Sequence, residues 1–184
     1  LINYQNKLNI ESFNNKKVFG IVTVFIAKEN ILFLEQWIDY HIQLGFEKFY
    51  LYDNSKVTKK GFFDLNNPHI IPGKANKYNI NYDKLIKLSN TQIKDILKKI
   101  ENKYKNKVYF IEWSPKDKYG NILYNQIEAL NNCLNKLKNE KIVDWCANID
   151  MDEFIVLNQG KTKSIHSFVD KLDSNISNIK MGQI

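Results

Sequence analysis

The sequence contains no arginine. All 27 of its basic residues are lysines, set against 20 acids, for a formal net charge of +7. Proteins that read nucleic acid lean on the bidentate fork of arginine. A positive balance made of lysine alone therefore does not point to nucleic acid. Cysteine is nearly absent: Cys133 and Cys146 are the only two. No CxxC occurs, and two thiols cannot complete a structural zinc site. The expectation is two free, mostly buried thiols, with no support in the sequence for a disulfide. Three prolines and seven glycines exclude collagen-like and linker character. No apolar run approaches the ~20 residues of a membrane helix. The first residues, beginning at Leu1, lack the charged-then-apolar pattern of a secretory leader. No GxGxxG follows the first apolar run, which argues against a dehydrogenase.

What is present is globular. Hydrophobic residues make up 43% and charged residues 26%, enough for one domain of ordinary size. Lysine, asparagine and isoleucine number 27, 25 and 24 and fill 76 of the 184 positions. The three share A/T-rich codons, so genome bias, as in an AT-rich bacterium or a large DNA virus, accounts for the lysine content. By the same argument the Lys-rich helical stretch 83–107 reads as a solvated face. A cytoplasmic or peripheral membrane location is favoured on these grounds.

Periodicity predicts alternating strands and helices. Residues 1–17 form a polar lead-in. Val18–Phe25 (VFGIVTVF) is a continuous β-branched run, suited to a strand covered on both faces. Leu34, Trp37, Ile38, His41 and Ile42 recur at helical spacing, with Gly45 placed as a C-cap. Lys48–Asp53 is a second strand. Residues 56–107 read as an insertion, irregular as far as 81 and helical from Asp83, with Ser89, Asn90 and Thr91 able to cap a second helix. Val108–Trp113 is a third strand. Ile122–Lys138 is a helix with Ile127, Leu130, Leu134 and Leu137 in line. Lys141–Ile149 is a fourth strand, Phe154–Leu157 a short one, Ser164–Leu172 a short helix, and Asn178–Ile184 the start of another strand. This order predicts an α/β domain with a mostly parallel sheet, which binds ligands at the carboxyl ends of its strands. His41 reads as a structural histidine, His69 and His166 as surface residues. Trp37, Trp113 and Trp145 read as core.

One cluster carries chemistry. Asp150 and Asp152 flank a single residue directly after an apolar strand. In extended backbone, positions i and i+2 project to one side. Two carboxylates so placed repel each other unless a cation bridges them. Mg²⁺ and Mn²⁺ suit such oxygen donors, together with substrate phosphates and water. Lys116 and Lys118, in a loop at a strand's carboxyl end, are within reach of a phosphate, although a solvated loop is the blander reading.

These residues resemble a known family. WCANIDMDEFIVL (145–157) is similar to the W-x-x-x-I-D-x-D-E-F segment of glycosyltransferase family 92 and related family 2-like enzymes. FIAKENILFLEQWIDYHIQLGFEKFYLYDNS (25–55) resembles their K-N-E, E-W-x-x-Y-H-x-x-L-G and Y-D-N-x-S blocks, with K-E-N in place of K-N-E. NQIEALNNCL (125–134) resembles their Q-x-x-A-x-N-x-C-L helix. The blocks stand in family order over residues 18–157. The resemblance implies a GT-A fold, a Rossmann-like sheet in a single domain spanning 1–184, with the C-terminal part of the fold missing. It implies a nucleotide-sugar site made of Ile26, Ala27, Lys28, Asp53, Gln126, Asp150, Met151 and Asp152. Within it, Asp150 and Asp152 hold Mn²⁺ or Mg²⁺, Asp53 meets the nucleoside, and Glu153 orients a carboxylate or a metal-bound water. The implied reaction is transfer from a UDP-sugar to a hydroxyl of a glycan, glycolipid or protein, with inversion. It needs a general base, expected beyond Ile184, and no catalytic base is assigned among these residues.

Two other readings stay open. One is a module that binds a nucleotide sugar or a carbohydrate without turning it over. The other is a sugar-nucleotide nucleotidyltransferase, which would want a Gly-rich phosphate loop that FIAKEN lacks.

Overall fold

The computed structural model describes residues 17–56, 88–157 and 164–182. The chain runs through β1 (Phe19–Phe25), α1 (Ala27–Asn30), α2 (Leu34–Leu44), β2 (Lys48–Asp53), α3 (Asn90–Lys103), β3 (Val108–Glu112), α4 (Gln126–Glu140), β4 (Trp145–Asn148) and α5 (Ile165–Val169). All pairings between these strands are parallel, in the order β3-β2-β1-β4. The predicted α/β class and parallel sheet are therefore present.

The central strand is β1, and every one of its residues is buried. That is why it reads as an unbroken apolar run rather than an alternating one. Phe19, Ile21 and Phe25 face one layer of helices, where Trp37 and Ile38 of α2, Ile93, Leu97 and Ile100 of α3, and Ile165 and Val169 of α5 complete the main core. Val22 and Val24, with Tyr50 and Tyr52 of β2, face the opposite layer, formed by Ala129, Cys133 and Leu137 of α4. β1 and β2 are thus packed on both faces.

Local signals set the helix ends. Gly45 closes α2 at φ 105°, where its amide reaches back to the carbonyls of His41 and Ile42. A Cβ there would also stand 2.9 Å from the His166 ring, so close approach and backbone sign both require glycine. Ser89 caps α3 through a reciprocal pair with Gln92. This helix crosses from β2 to β3, and its apolar side belongs to the main core. Residues 57–87, which include His69, and residues 1–16 lie outside the described residues.

Five expectations need correction. The α4 helix starts at Gln126 rather than Ile122, because Ile122 pairs with Lys116 in a small hairpin. Its buried line is Ala129, Cys133 and Leu137, while Ile127 is 74% exposed. The last strand starts at Trp145, since Lys141 is taken up as the αL cap of α4. Residues 154–157 form no strand; their backbone is held instead by side chains of α2. His166 is half-buried, its ring edge-on to Phe19 at 4.7 Å. Among the described residues no helix is long and apolar enough to cross a membrane.

Candidate functional site

Strand order decides where a ligand can sit. From β1 the chain moves outward through β2 to β3, and it returns to the other side of β1 as β4. The crevice between the carboxyl ends of β1 and β4 is a topological switch point, the usual ligand position in open α/β sheets. Ile26 and Ala27 follow β1, Asp53 ends β2, and Asp150 lies two residues beyond β4.

The acidic segment is a tight turn. The Glu153 amide donates to the Asp150 carbonyl at 3.0 Å, and the Asp150 amide donates to Glu153 Oε2 at 3.0 Å. Glu153 thereby holds the turn that carries Asp150. Asp150 and Asp152 are exposed, and Met151 between them is 3% exposed within the main core. The backbone here is a turn and not the extended segment that the i, i+2 spacing assumed. The Met151 side chain itself faces the core. Gln126, first residue of α4, donates from Nε2 to Asp150 Oδ1 at 2.8 Å.

The turn is pinned from behind by α2. Trp37 Nε1 donates to the Glu153 carbonyl at 2.8 Å, and the Tyr40 hydroxyl donates to the Ile155 carbonyl at 2.9 Å. His41 Nδ1 is 2.8 Å from the Trp37 carbonyl, and His41 Nε2 accepts from the Ile155 amide at 3.4 Å. That pairing requires the neutral Nδ1–H tautomer. Burial pushes the imidazole down to about 4, against the pull of the Trp37 carbonyl. His41 is a packing residue, as its helical position indicated.

The β1–β2 side has its own knot. Asp53 Oδ1 accepts from the Ser55 hydroxyl and from the Ser55 amide at 3.0 Å. The Ala27 amide donates to Ser55 Oγ at 2.9 Å and leans on Asp53 Oδ1 at 3.4 Å. The Ile26 amide donates to Asn30 Oδ1 at 3.2 Å. The N–H groups of Ile26 and Ala27 are thus engaged within the protein, while Lys28 is exposed.

Four residues given no role by the sequence reading matter here. Asn54 is fully buried, and its Nδ2 donates to the carbonyls of Trp113 at 2.7 Å and Leu123 at 3.0 Å. It staples the root of the 116–122 hairpin to the end of β2. The Tyr124 hydroxyl donates to the Val24 carbonyl at 2.9 Å. Burial first, then the charges of Asp150, Glu29 and Asp152, push this phenol up to about 12. Glu29, on α1, is half-buried, and burial raises its carboxyl. Ser55 is the fourth. The signal for Asn54 and Ser55 was the D-N-S run that ends β2, and Glu29 lies in the K-E-N block; nothing local marked Tyr124.

Lys116 and Lys118 sit on the hairpin, exposed, with Lys118 Nζ 4.9 Å from the Tyr119 ring centre. The hairpin is closed by Asp117, whose carboxylate accepts from Asn121 and from the Tyr119 amide. Asn121 foremost holds that carboxyl below its usual range. Among the described residues no three His, Cys, Asp or Glu side chains group as a metal cage.

By class this is a Rossmann-like α/β domain with its polar site at the strand-order reversal. It is a glycosyltransferase: the model of glycosyltransferase family 92 matches residues 18–182, and the chain belongs to that family. No curated protein and no solved structure matches the chain.

Proposed function

We propose that this glycosyltransferase takes a nucleotide sugar, a UDP-sugar, and passes the sugar to a hydroxyl of a glycan, glycolipid or protein. The observation that carries the reading is the bond from Gln126 to Asp150 at the β1/β4 switch point, with Asp152 exposed two residues further on. Two exposed carboxylates would be costly neighbours without a counter-charge, and here a neutral amide steadies one of them without cancelling its charge.

The donor set fits a small divalent cation. It offers two hard carboxylates and no full cage, which suits Mn²⁺ or Mg²⁺ shared with phosphate oxygens and water. Asp150 and Asp152 would hold the ion, which when bound offsets negative charge developing on the leaving diphosphate. On the nucleoside side, Asp53 has Oδ1 saturated by Ser55 and Ala27. Its Oδ2 is the acceptor for a uracil N–H or a ribose hydroxyl. Ile26, Ala27 and Lys28 would meet the nucleoside end of the donor, and the backbone of Met151 the diphosphate end. Inversion is taken from the family resemblance.

Calorimetric titration of UDP and GDP, with Mn²⁺ and with EDTA, tests this on wild type and Asp152→Ala. The expected result is Mn²⁺-dependent UDP binding that the variant loses. No binding of either nucleotide to protein shown folded by circular dichroism overturns the reading.

A further inference from the structure

The only two cysteines stand 13 residues apart on different elements, Cys133 on α4 and Cys146 on β4. Two separate periodicities bring them together. Along α4, the residues turned onto the sheet are Ala129, Cys133 and Leu137, at i, i+4 and i+8. Across the sheet, the parallel register sets Cys146 beside Gly20. Gly20 shares its face with Val22 and Val24, the face that α4 covers. Cys146 packs against the same cluster as Cys133, with Tyr50 and Tyr52 around them. Both thiols are free, and both pack into the cluster between α4 and the sheet.

We propose that Cys133 and Cys146 are a redox-active pair that closes reversibly into a disulfide when the folded protein meets a hydroperoxide. The first sulfur attacks one peroxide oxygen. The O–O bond breaks, hydroxide leaves and takes up a proton as water, and the sulfur becomes a sulfenic acid. The second sulfur attacks the first. The S–S bond forms, the S–O bond breaks, and the hydroxyl departs with the remaining thiol proton as a second water. The two thiols lose two electrons and the peroxide gains two.

Cys133 is fully buried, and the Cys146 thiol foremost, then the Tyr52 hydroxyl, holds it below the usual thiol range against the effect of burial. Contact with Cys133, then burial, pushes Cys146 up. Each thiol thus responds to the other, and either can attack while its partner resolves. A small oxidant suits a sulfur with no exposed surface, since it enters through local opening. The bond would join the helix that begins at Gln126 to the strand that leads to Asp150, so it would lock the elements behind the Gln126–Asp150 contact. The inference does not depend on which nucleotide the site takes.

The test treats native wild-type protein with hydrogen peroxide, then unfolds it in excess alkylating agent for intact-mass analysis. The expected product is a monomer lighter by about 2 Da that takes up no alkyl group and regains both sites after dithiothreitol. Peptide mapping then shows Cys133 linked to Cys146. Cys146→Ser and Cys133→Ser should each form no lighter species and stop at a dithiothreitol-reducible sulfenic adduct on the remaining thiol. Full alkylation of both residues after peroxide, sulfinic acid without the lighter species, or an intermolecular dimer as the main product would each overturn the proposal.

Discussion

The side chain of Gln126 reaches across from the first residue of α4 to the carboxylate of Asp150, Nε2 to Oδ1 at 2.8 Å. The two residues are 24 positions apart, and each is placed by a different element. The bond fixes one oxygen of Asp150 and leaves its charge available.

Gln126→Ala should therefore leave the fold intact and weaken Mn²⁺-dependent UDP binding by about 3- to 10-fold, the scale of one hydrogen bond to a charged group. Gln126→Glu places a like charge beside Asp150, which raises the carboxyl pKa values of the pair. Its binding loss should shrink as the pH is raised from 5 to 7.5. Titrations at both pH values check this, and equal affinity in all three proteins would remove Gln126 from the site.

Ser55 holds Asp53 by donating its hydroxyl to Oδ1 while accepting from the Ala27 amide. Ser55→Ala should lower UDP affinity by about 2- to 10-fold without changing the melting temperature appreciably. Ser55→Thr keeps the hydroxyl and should restore binding. If alanine binds UDP as well as serine does, Asp53 needs no such support.

The buried neutral His41 makes stability depend on pH. Its folded-state pKa is about 4, below the ordinary value of 6.5. Between those values the unfolded chain binds the proton and the folded chain does not. The contribution is complete above pH 6.5 and is lost as pH falls toward 4, amounting to roughly 3 kcal/mol. Urea unfolding at pH 7.5, 5.5 and 4.5 should show that loss in wild type. In His41→Gln the part of the slope due to His41 should vanish, at the cost of lower stability throughout.

Asn54 ties the hairpin root through two carbonyls, those of Trp113 and Leu123. Asn54→Ala leaves both without that donor and should cost about 2–3 kcal/mol. Limited proteolysis should then cut near the 116–122 hairpin well before global unfolding. Cleavage unchanged from wild type would show that the hairpin does not depend on this staple.

Much of the scaffold was legible because the signals are local. The run Val18–Phe25 gave β1 within a residue, Gly45 ended α2, and Ser89 began α3. The errors have a common cause. In α4 the leucines and isoleucines were counted as the buried side, yet the sheet is met by Ala129, Cys133 and Leu137, two of them small. Small residues let a helix approach a sheet closely, and a pattern built on large side chains overlooks them. Residues 154–157 are apolar enough for a strand, but their backbone partners are side chains of Tyr40 and His41.

The sequence alone determined the strand–helix alternation and the family likeness. Each is written in residues close together in the chain, where backbone geometry fixes the outcome. Only the tertiary structure decided that Gln126 would hold Asp150, that Asn54 would staple the hairpin, and that Cys133 and Cys146 would share one cluster. Those contacts depend on which face of a helix meets the sheet and on which strand lies beside β1. Packing of the whole core sets both, and no local spacing encodes them.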